Sequence, residues 1–229
     1  ELSAEMSAGY RLSPTSWLGM TYDPVGMVTQ LADTLNGQSG QLEQTLVYID
    51  HQSAKDWLTT CNSPEYGPVF RDTLPLAAMS RRIADLVGSQ ALTLNALGPG
   101  DGRTEALLIK HLQSQLRMPK QTELFLLDVS HSLLNTAYRH CCETIPDIRT
   151  YTVHGSFLDL PKMSMLVNPL RGRTRLFAML GYTLINLNDE LRFFRDTLSC
   201  CSPGELFLFD LQIARAPSSD RQKILKLDP

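Results

Sequence analysis

Apolar and polar positions alternate in blocks through the second half of the chain. Short apolar runs predict five strands, and the amphipathic segments between them predict helices. Some runs are apolar at every position, which is typical of strands buried on both faces. The pattern predicts strands at 91–97, 123–128, 150–154, 174–180 and 205–210, and helices at 104–116, 130–142 and 188–198. We therefore expect an α/β fold in residues 89–229, with an open parallel sheet wrapped by helices.

Residues 1–88 follow a different pattern, because their apolar positions recur with helical spacing where they are periodic. The clearest helical segments are 24–35 and 74–87, and stretches rich in Asn, Gly, Ser and Pro interrupt the periodicity at 36–37 and 62–64. A helical N-terminal region is therefore predicted for this part of the chain.

The segment 159–173 lies between the third and fourth predicted strands and contains Pro161, Pro169 and Gly172. These residues predict an irregular loop over one rim of the sheet. The cluster of three arginines at 171–175 predicts a solvent-exposed turn.

Composition and charge exclude several classes of protein. Of the 229 residues, 43% are hydrophobic and 20% are charged, and the net charge is −3. This charge argues against binding to duplex nucleic acid or to an anionic membrane, and no apolar run reaches the roughly 20 residues that cross a bilayer. We expect a cytoplasmic globular protein. Because the chain begins with Glu1 and ends soon after the last predicted strand, we also expect it to be part of a longer protein with further domains.

The cysteines do not indicate a metal site or a disulfide framework. Four of the five form the adjacent pairs Cys141-Cys142 and Cys200-Cys201. Neighbouring side chains on a helix point about 100° apart, so such a pair is poorly placed to bind one ion together. We predict reduced cysteines and no metal.

A turn rich in glycine follows the first predicted strand and leads into a predicted helix. It contains Gly98, Pro99, Gly100 and Gly102. Glycines allow positive φ and a close approach to the backbone, and the start of the helix offers unpaired N–H groups. The turn therefore predicts a binding site for the polar or charged end of a ligand.

Asp128 ends the second predicted strand, at the same edge of the sheet as the glycine turn. Ligands of open parallel sheets bind at this edge, and a carboxylate there can accept both hydroxyl hydrogens of a ribose. Capping of the next helix is the structural alternative, but Ser130 is available for it. An adenosine-containing ligand is predicted, which leaves a dinucleotide and S-adenosylmethionine open. A dinucleotide site requires Gly-x-Gly-x-x-Gly, whereas this chain has glycines at every second position.

This glycine spacing, with proline inside it, resembles motif I of the class I S-adenosylmethionine-dependent methyltransferases. The resemblance implies a Rossmann-like sheet and S-adenosylmethionine as cofactor. It places Ser156 near the exocyclic amine of adenine and Phe157 against the adenine ring. The cofactor-binding residues that it implies are Gly98, Pro99, Gly100, Gly102, Thr104, Asp128, Val129, Ser156 and Phe157.

Two further segments, 180–187 and 63–66, are similar to those of a narrower group, the histidine Nα-methyltransferases of ergothioneine biosynthesis. The first corresponds to the segment that carries the substrate asparagine of that group, and the second to its Pro-Glu-Tyr-Tyr segment. The resemblance implies a small amine or amino acid as methyl acceptor. The substrate-binding residues that it implies are Tyr66, Gly181, Tyr182, Thr183 and Asn186.

The chain departs from these families at several positions. Ala96 and Ser156 stand where acidic residues are common, and Ile185 replaces a glycine before the substrate asparagine. The C-terminal hairpin of the methyltransferase sheet is expected to be absent. No general base stands out, and His131 and His154 fit structural roles better than catalytic ones. A non-catalytic methyltransferase-like interaction module and an NAD(P)-dependent oxidoreductase remain as alternatives.

Overall fold

One parallel sheet organises the chain. The computed structural model describes residues 18–20, 24–37, 46–48, 50–64, 74–117, 121–163, 166 and 172–211. Within these residues six strands pair in the order β1-β4-β3-β2-β5-β6, and every pair is parallel. The strands are β1 (Leu18–Met20), β2 (Ala91–Leu97), β3 (Glu123–Asp128), β4 (Arg149–His154), β5 (Arg173–Met179) and β6 (Leu206–Phe209). The five strands predicted between residues 91 and 210 are confirmed.

Helices cover the sheet and connect its strands. They are α1 (Pro24–Asn36), α2 (His51–Cys61), α3 (Leu76–Val87), α4 (Arg103–Gln113), α5 (His131–Thr144) and α6 (Glu190–Arg192). A π-helical stretch (Phe193–Thr197) and a 3-10 turn (Leu198–Cys200) continue α6, and further 3-10 turns span Phe157–Lys162 and Leu184–Asn186. None of the helices in the described parts of the chain is long and apolar enough to cross a membrane.

The apolar core lies on both faces of the sheet, because successive residues of a strand point to opposite faces. Leu92 and Leu94 of β2 point to one face and pack with buried residues of α3, α4 and α5. Leu97 points to the other face and packs with residues such as Phe157 and Phe193. All seven residues of β2 are buried, as its continuous apolar run predicts.

Two parts of the fold differ from the sequence-based expectation. Residues Leu18–Met20 form a strand, so the N-terminal region contributes to the sheet as well as to the helices. A run of three residues is too short for its alternation to be distinguished from a helical or loop segment. The boundary at residue 88 stays a prediction. The predicted absence of a C-terminal hairpin concerns residues after 211, which lie outside the described residues.

The prediction of a solvent-exposed turn at 171–175 is wrong for Arg175, the last arginine of that cluster. Arg175 lies within β5 with a relative exposure of 2%. Its guanidinium pairs with the carboxylate of Glu205 and donates to the Leu166 carbonyl oxygen at 2.7 Å. Because β5 is covered on both faces, a charged side chain in it must be paired. Part of the predicted loop is also ordered, since Phe157–Lys162 form a 3-10 helix.

Candidate functional site

The candidate site lies where the strand order changes direction. From β2 the chain moves outward through β3 and β4, then crosses back to place β5 and β6 on the other side of β2. Ligands of open α/β sheets bind outside the carboxyl ends of the strands at such a switch point. The glycine turn follows β2, and Asp128 ends the neighbouring β3.

The glycine turn is shaped by its close contacts with other parts of the protein. Gly98, Gly100 and Gly102 have φ of 68°, 58° and 74°, a region that other residues rarely adopt. A Cβ on Gly102 would lie 2.9 Å from the Ala137 Cα of α5, and one on Gly98 would lie 2.9 Å from the Thr183 Cγ2. The first and third glycines therefore let α5 and the segment after β5 approach the turn closely.

Asp128 is held at the end of β3 by a hydrogen bond from the backbone. Its carboxylate accepts from the backbone N–H of Ser130 at 2.8 Å. Burial, which leaves the residue 5% exposed, raises the pKa of Asp128 to about 6, although the backbone N–H groups of Ser130 and Gly100 favour the ionised form. Ser130 caps α5 by accepting from the Leu133 N–H, as predicted. Asp128 is thus held at the strand end rather than used as the helix cap.

The two histidines near Asp128 form part of its support. The Nε2 of His154 donates to the Val129 carbonyl oxygen at 2.9 Å, and its ring lies edge-on to that of His131, with centroids 5.5 Å apart. Burial lowers the pKa of His154. This hydrogen bond fixes the backbone of Val129.

Ser156 and Phe157 lie beyond the end of β4. The Ser156 hydroxyl accepts from the Leu158 N–H at 3.2 Å and caps the 3-10 helix that follows. Phe157 is 7% exposed and packs edge-on against Phe193 at 5.9 Å between centroids. Its ring edge lies 3.7 Å from where a Cβ on Gly98 would stand, so the structure brings Phe157 to the glycine turn.

The predicted acceptor segment follows β5 and is held by a residue that sequence reasoning missed. Asp210, 6% exposed, accepts from the backbone N–H of Gly181 at 2.9 Å and from that of Tyr182 at 3.1 Å. Tyr182 has a φ of 63°, a strained conformation for a residue with a side chain. Burial raises the pKa of Asp210. The signal available in the sequence was a carboxylate directly after the last apolar strand.

The same segment contacts the glycine turn. The Thr183 hydroxyl lies 2.9 Å from the Leu180 carbonyl oxygen and 3.5 Å from that of Gly98. Asn186 ends a 3-10 turn and is partly exposed. Tyr66 lies outside the described residues. The structure therefore brings Thr183 to the glycine turn.

The start of α4 carries a second carboxylate that sequence reasoning missed. Thr104 is partly exposed in the first turn of this helix, whereas Glu105 is 2% exposed. Within the described residues the Glu105 Oε2 has no hydrogen-bond partner. Burial raises the pKa of Glu105 to about 8, and the negative charges of Asp101, Asp210 and Asp128 act in the same direction.

Comparison with known families identifies the family of the chain. A family model described as histidine-specific, S-adenosylmethionine-dependent methyltransferase matches residues 27–219. The chain belongs to this family. The predicted class of enzyme and the predicted cofactor, S-adenosylmethionine, are confirmed by this match, and it gives no support to an NAD(P)-dependent oxidoreductase. No curated protein matches this methyltransferase significantly.

Several solved methyltransferase structures are similar to the chain. A protein from Methanococcus maripaludis, described as S-adenosyl-L-methionine-dependent, is 16% identical, with 84% of this chain and 77% of that one covered and a TM-score of 0.49. The sugar N-methyltransferase KedS8 from Streptoalloteichus is 15% identical, with 70% and 54% covered and a TM-score of 0.43. The O-methyltransferase TomG from Streptomyces achromogenes, solved with its cofactor, is 16% identical, with 72% and 67% covered and a TM-score of 0.43.

The residues at the switch point fit the adenosine part of S-adenosylmethionine. Asp128 supplies a buried carboxylate for ribose hydroxyl groups, and the glycine turn presents backbone beside it. At the methionine end the fit is weaker, because Ala96 is fully buried in β2 and has no group that pairs with an ammonium.

Proposed function

We propose that this methyltransferase transfers the methyl group of S-adenosylmethionine to the amino group of a small acceptor, an amine or an amino acid. The observation that carries the proposal is the contact between the segment 181–183 and the glycine turn, where Thr183 packs on Gly98. An acceptor held by this segment lies next to the turn that binds the cofactor. The histidine-specific description of the family supports an amino acid of this kind.

The cofactor-binding residues in this proposal are those of the glycine turn and of the ends of β3 and β4. Asp128 accepts hydrogen bonds from the ribose, and Val129 and Phe157 supply apolar contacts near the adenine. The proposed set is Gly98, Pro99, Gly100, Gly102, Thr104, Asp128, Val129, Ser156 and Phe157.

The acceptor is oriented by groups that donate and accept hydrogen bonds. The proposed set is Tyr66, Gly181, Tyr182, Thr183 and Asn186. When bound, S-adenosylmethionine supplies a methyl group already activated by its sulfonium. The protein therefore has to hold the acceptor nitrogen in line with that methyl and exclude water. The Tyr182 conformation held by Asp210 fixes one wall of this arrangement.

Calorimetric titration with S-adenosylhomocysteine tests the cofactor half of the proposal. We expect the unmodified protein to bind, and Asp128→Ala to raise the Kd at least tenfold, because loss of a charged acceptor costs about 1.5–3 kcal/mol. Asp147→Ala, at an exposed aspartate outside the site, is the matched control and should leave the Kd unchanged. Absence of binding by the unmodified protein would contradict the proposal, as would tighter binding of NAD.

The acceptor half is tested by incubation with S-adenosylmethionine and single acceptors, histidine and simple amines among them, followed by mass spectrometry. We expect one methylated product, and Asn186→Ala should raise the KM for that acceptor while the Kd for S-adenosylhomocysteine is unchanged.

The buried Ala96 favours a second candidate, a methyltransferase fold kept for interaction with other proteins. That candidate predicts no methylated product from any acceptor. A product with any acceptor would exclude it.

A further inference from the structure

Helix α2 is fixed to the cofactor side of the molecule. The Asp50 carboxylate caps it by accepting from the N–H groups of Gln52 and Ser53 at 2.7 and 2.9 Å. The Nδ1 of His51 lies 3.1 Å from the hydroxyl of Ser132 in the first turn of α5, two residues after the cap of that helix. The N-terminal end of α2 is therefore tied to the segment that follows Asp128.

Two aromatic side chains lie between α2 and the candidate site. The indole Nε1 of Trp57 is 3.3 Å from where a Cβ on Gly100 would stand, so the N–H edge of the indole lies against the central glycine of the turn. Tyr48 packs edge-on against Trp57, with centroids 5.8 Å apart. Burial raises the pKa of Tyr48.

The Tyr48–Trp57 pair thus lies against the central glycine of the turn. The glycine turn is one of the elements that hold the adenosine part of the cofactor in the function proposed above. Both side chains are partly exposed, so part of each ring reaches solvent. Aromatic rings at this position can stack on the ligand, attract its positive charge and keep water out.

We propose that Tyr48 and Trp57 form the outer wall of the cofactor site and contact S-adenosylmethionine directly, with the Trp57 indole against Gly100. The N-terminal segment is then part of the binding site, and Trp57 is a cofactor-binding residue. The inference rests on the cofactor use of the proposed function.

The sequence makes this testable by fluorescence, because Trp17 and Trp57 are its two tryptophans. In a Trp17→Phe variant all tryptophan emission comes from Trp57, which is itself unaltered. Titration of this variant with S-adenosylhomocysteine should change the emission saturably, with the Kd that calorimetry gives. Trp57→Ala should raise the calorimetric Kd at least tenfold, Trp57→Phe should raise it less because a ring remains, and Trp17→Phe should leave it unchanged.

The outcomes separate this inference from the proposed function. If S-adenosylhomocysteine binds, but Trp57 emission does not respond and Trp57→Ala binds with the unmodified Kd, the aromatic wall is overturned and the cofactor site stands. If the unmodified protein does not bind S-adenosylhomocysteine, the proposed function fails and the aromatic wall fails with it. Circular dichroism of each variant verifies folding, and the Trp17→Phe titration decides the question even if Trp57→Ala does not fold.

Discussion

Replacement of Glu105 by glutamine is expected to reduce the pH dependence of stability between pH 5 and pH 8. Glu105 is buried, and its pKa is raised from 4.5 to about 8. The folded state therefore keeps a proton on Glu105 at pH values where the unfolded chain has lost it. Because the folded state then binds more protons than the unfolded state, the free energy of unfolding falls as the pH rises through this range.

The size of the effect follows from the pKa difference. Each pKa unit corresponds to about 1.4 kcal/mol, so Glu105 lowers the stability by about 3 kcal/mol more at pH 8 than at pH 5. Glutamine has the shape of the protonated carboxyl but does not ionise. We therefore expect Glu105→Gln to be close to the unmodified protein at pH 5 and about 3 kcal/mol more stable at pH 8.

Urea unfolding at pH 5, 6, 7 and 8, followed by circular dichroism, measures this difference. Glu143→Gln, at an exposed glutamate of α5, is the control for loss of one negative charge and should give no comparable gain. Asp128 also has a raised pKa, of about 6. The stability of both the unmodified protein and Glu105→Gln should therefore keep some pH dependence below pH 6. A gain for Glu105→Gln that is the same at every pH would refute the reasoning, as would a loss of stability at pH 8.

Two further predictions concern backbone and charge in the core. Gly102→Ala should destabilise the protein by more than the roughly 1–2 kcal/mol that its positive φ costs an L-residue, because its Cβ would lie 2.9 Å from the Ala137 Cα. Gly172→Ala has a φ of 72° and no atom of the described residues within 4 Å of its Cβ, so it should show the φ cost alone in the same urea experiment. Arg175→Met should lower the free energy of unfolding by about 3–5 kcal/mol, because it leaves the Glu205 charge buried and unpaired. The double variant with Glu205→Leu should recover much of that loss. Equal losses of stability in the single and double variants would contradict this reasoning.

Much of the sheet was predictable because its central strands are buried on both faces and are bounded by turn residues. The runs that became β2 and β3 have few polar positions, so their assignment does not depend on distant contacts. Arg175 was misassigned for the opposite reason. An arginine near Gly172 is typical of an exposed turn, and only its pairing with Glu205, thirty positions later, makes burial in β5 favourable.

In the candidate site, too, some residues could be predicted from the sequence and others could not. The glycine turn and Asp128 were predictable because their residue types are rare in other settings and their order follows from parallel strands. The contributions of Asp210 and Trp57 depend on contacts between segments far apart in the chain. Asp210 carries one local signal, its place directly after an apolar strand, whereas Trp57 carries none.

The short strand β1 also bears on how copies of the chain meet one another. In the described residues it pairs with 152–154 of β4 and leaves the first half of β4 outside its register, where Arg149 is 65% exposed. An exposed sheet edge can pair with a strand of another molecule unless it is covered or charged. Here β1 covers the second half of β4, and the charged Arg149 lies in the first half. Removal of residues 1–20 would therefore uncover residues 152–154 of β4 and is expected to favour association between copies of the chain.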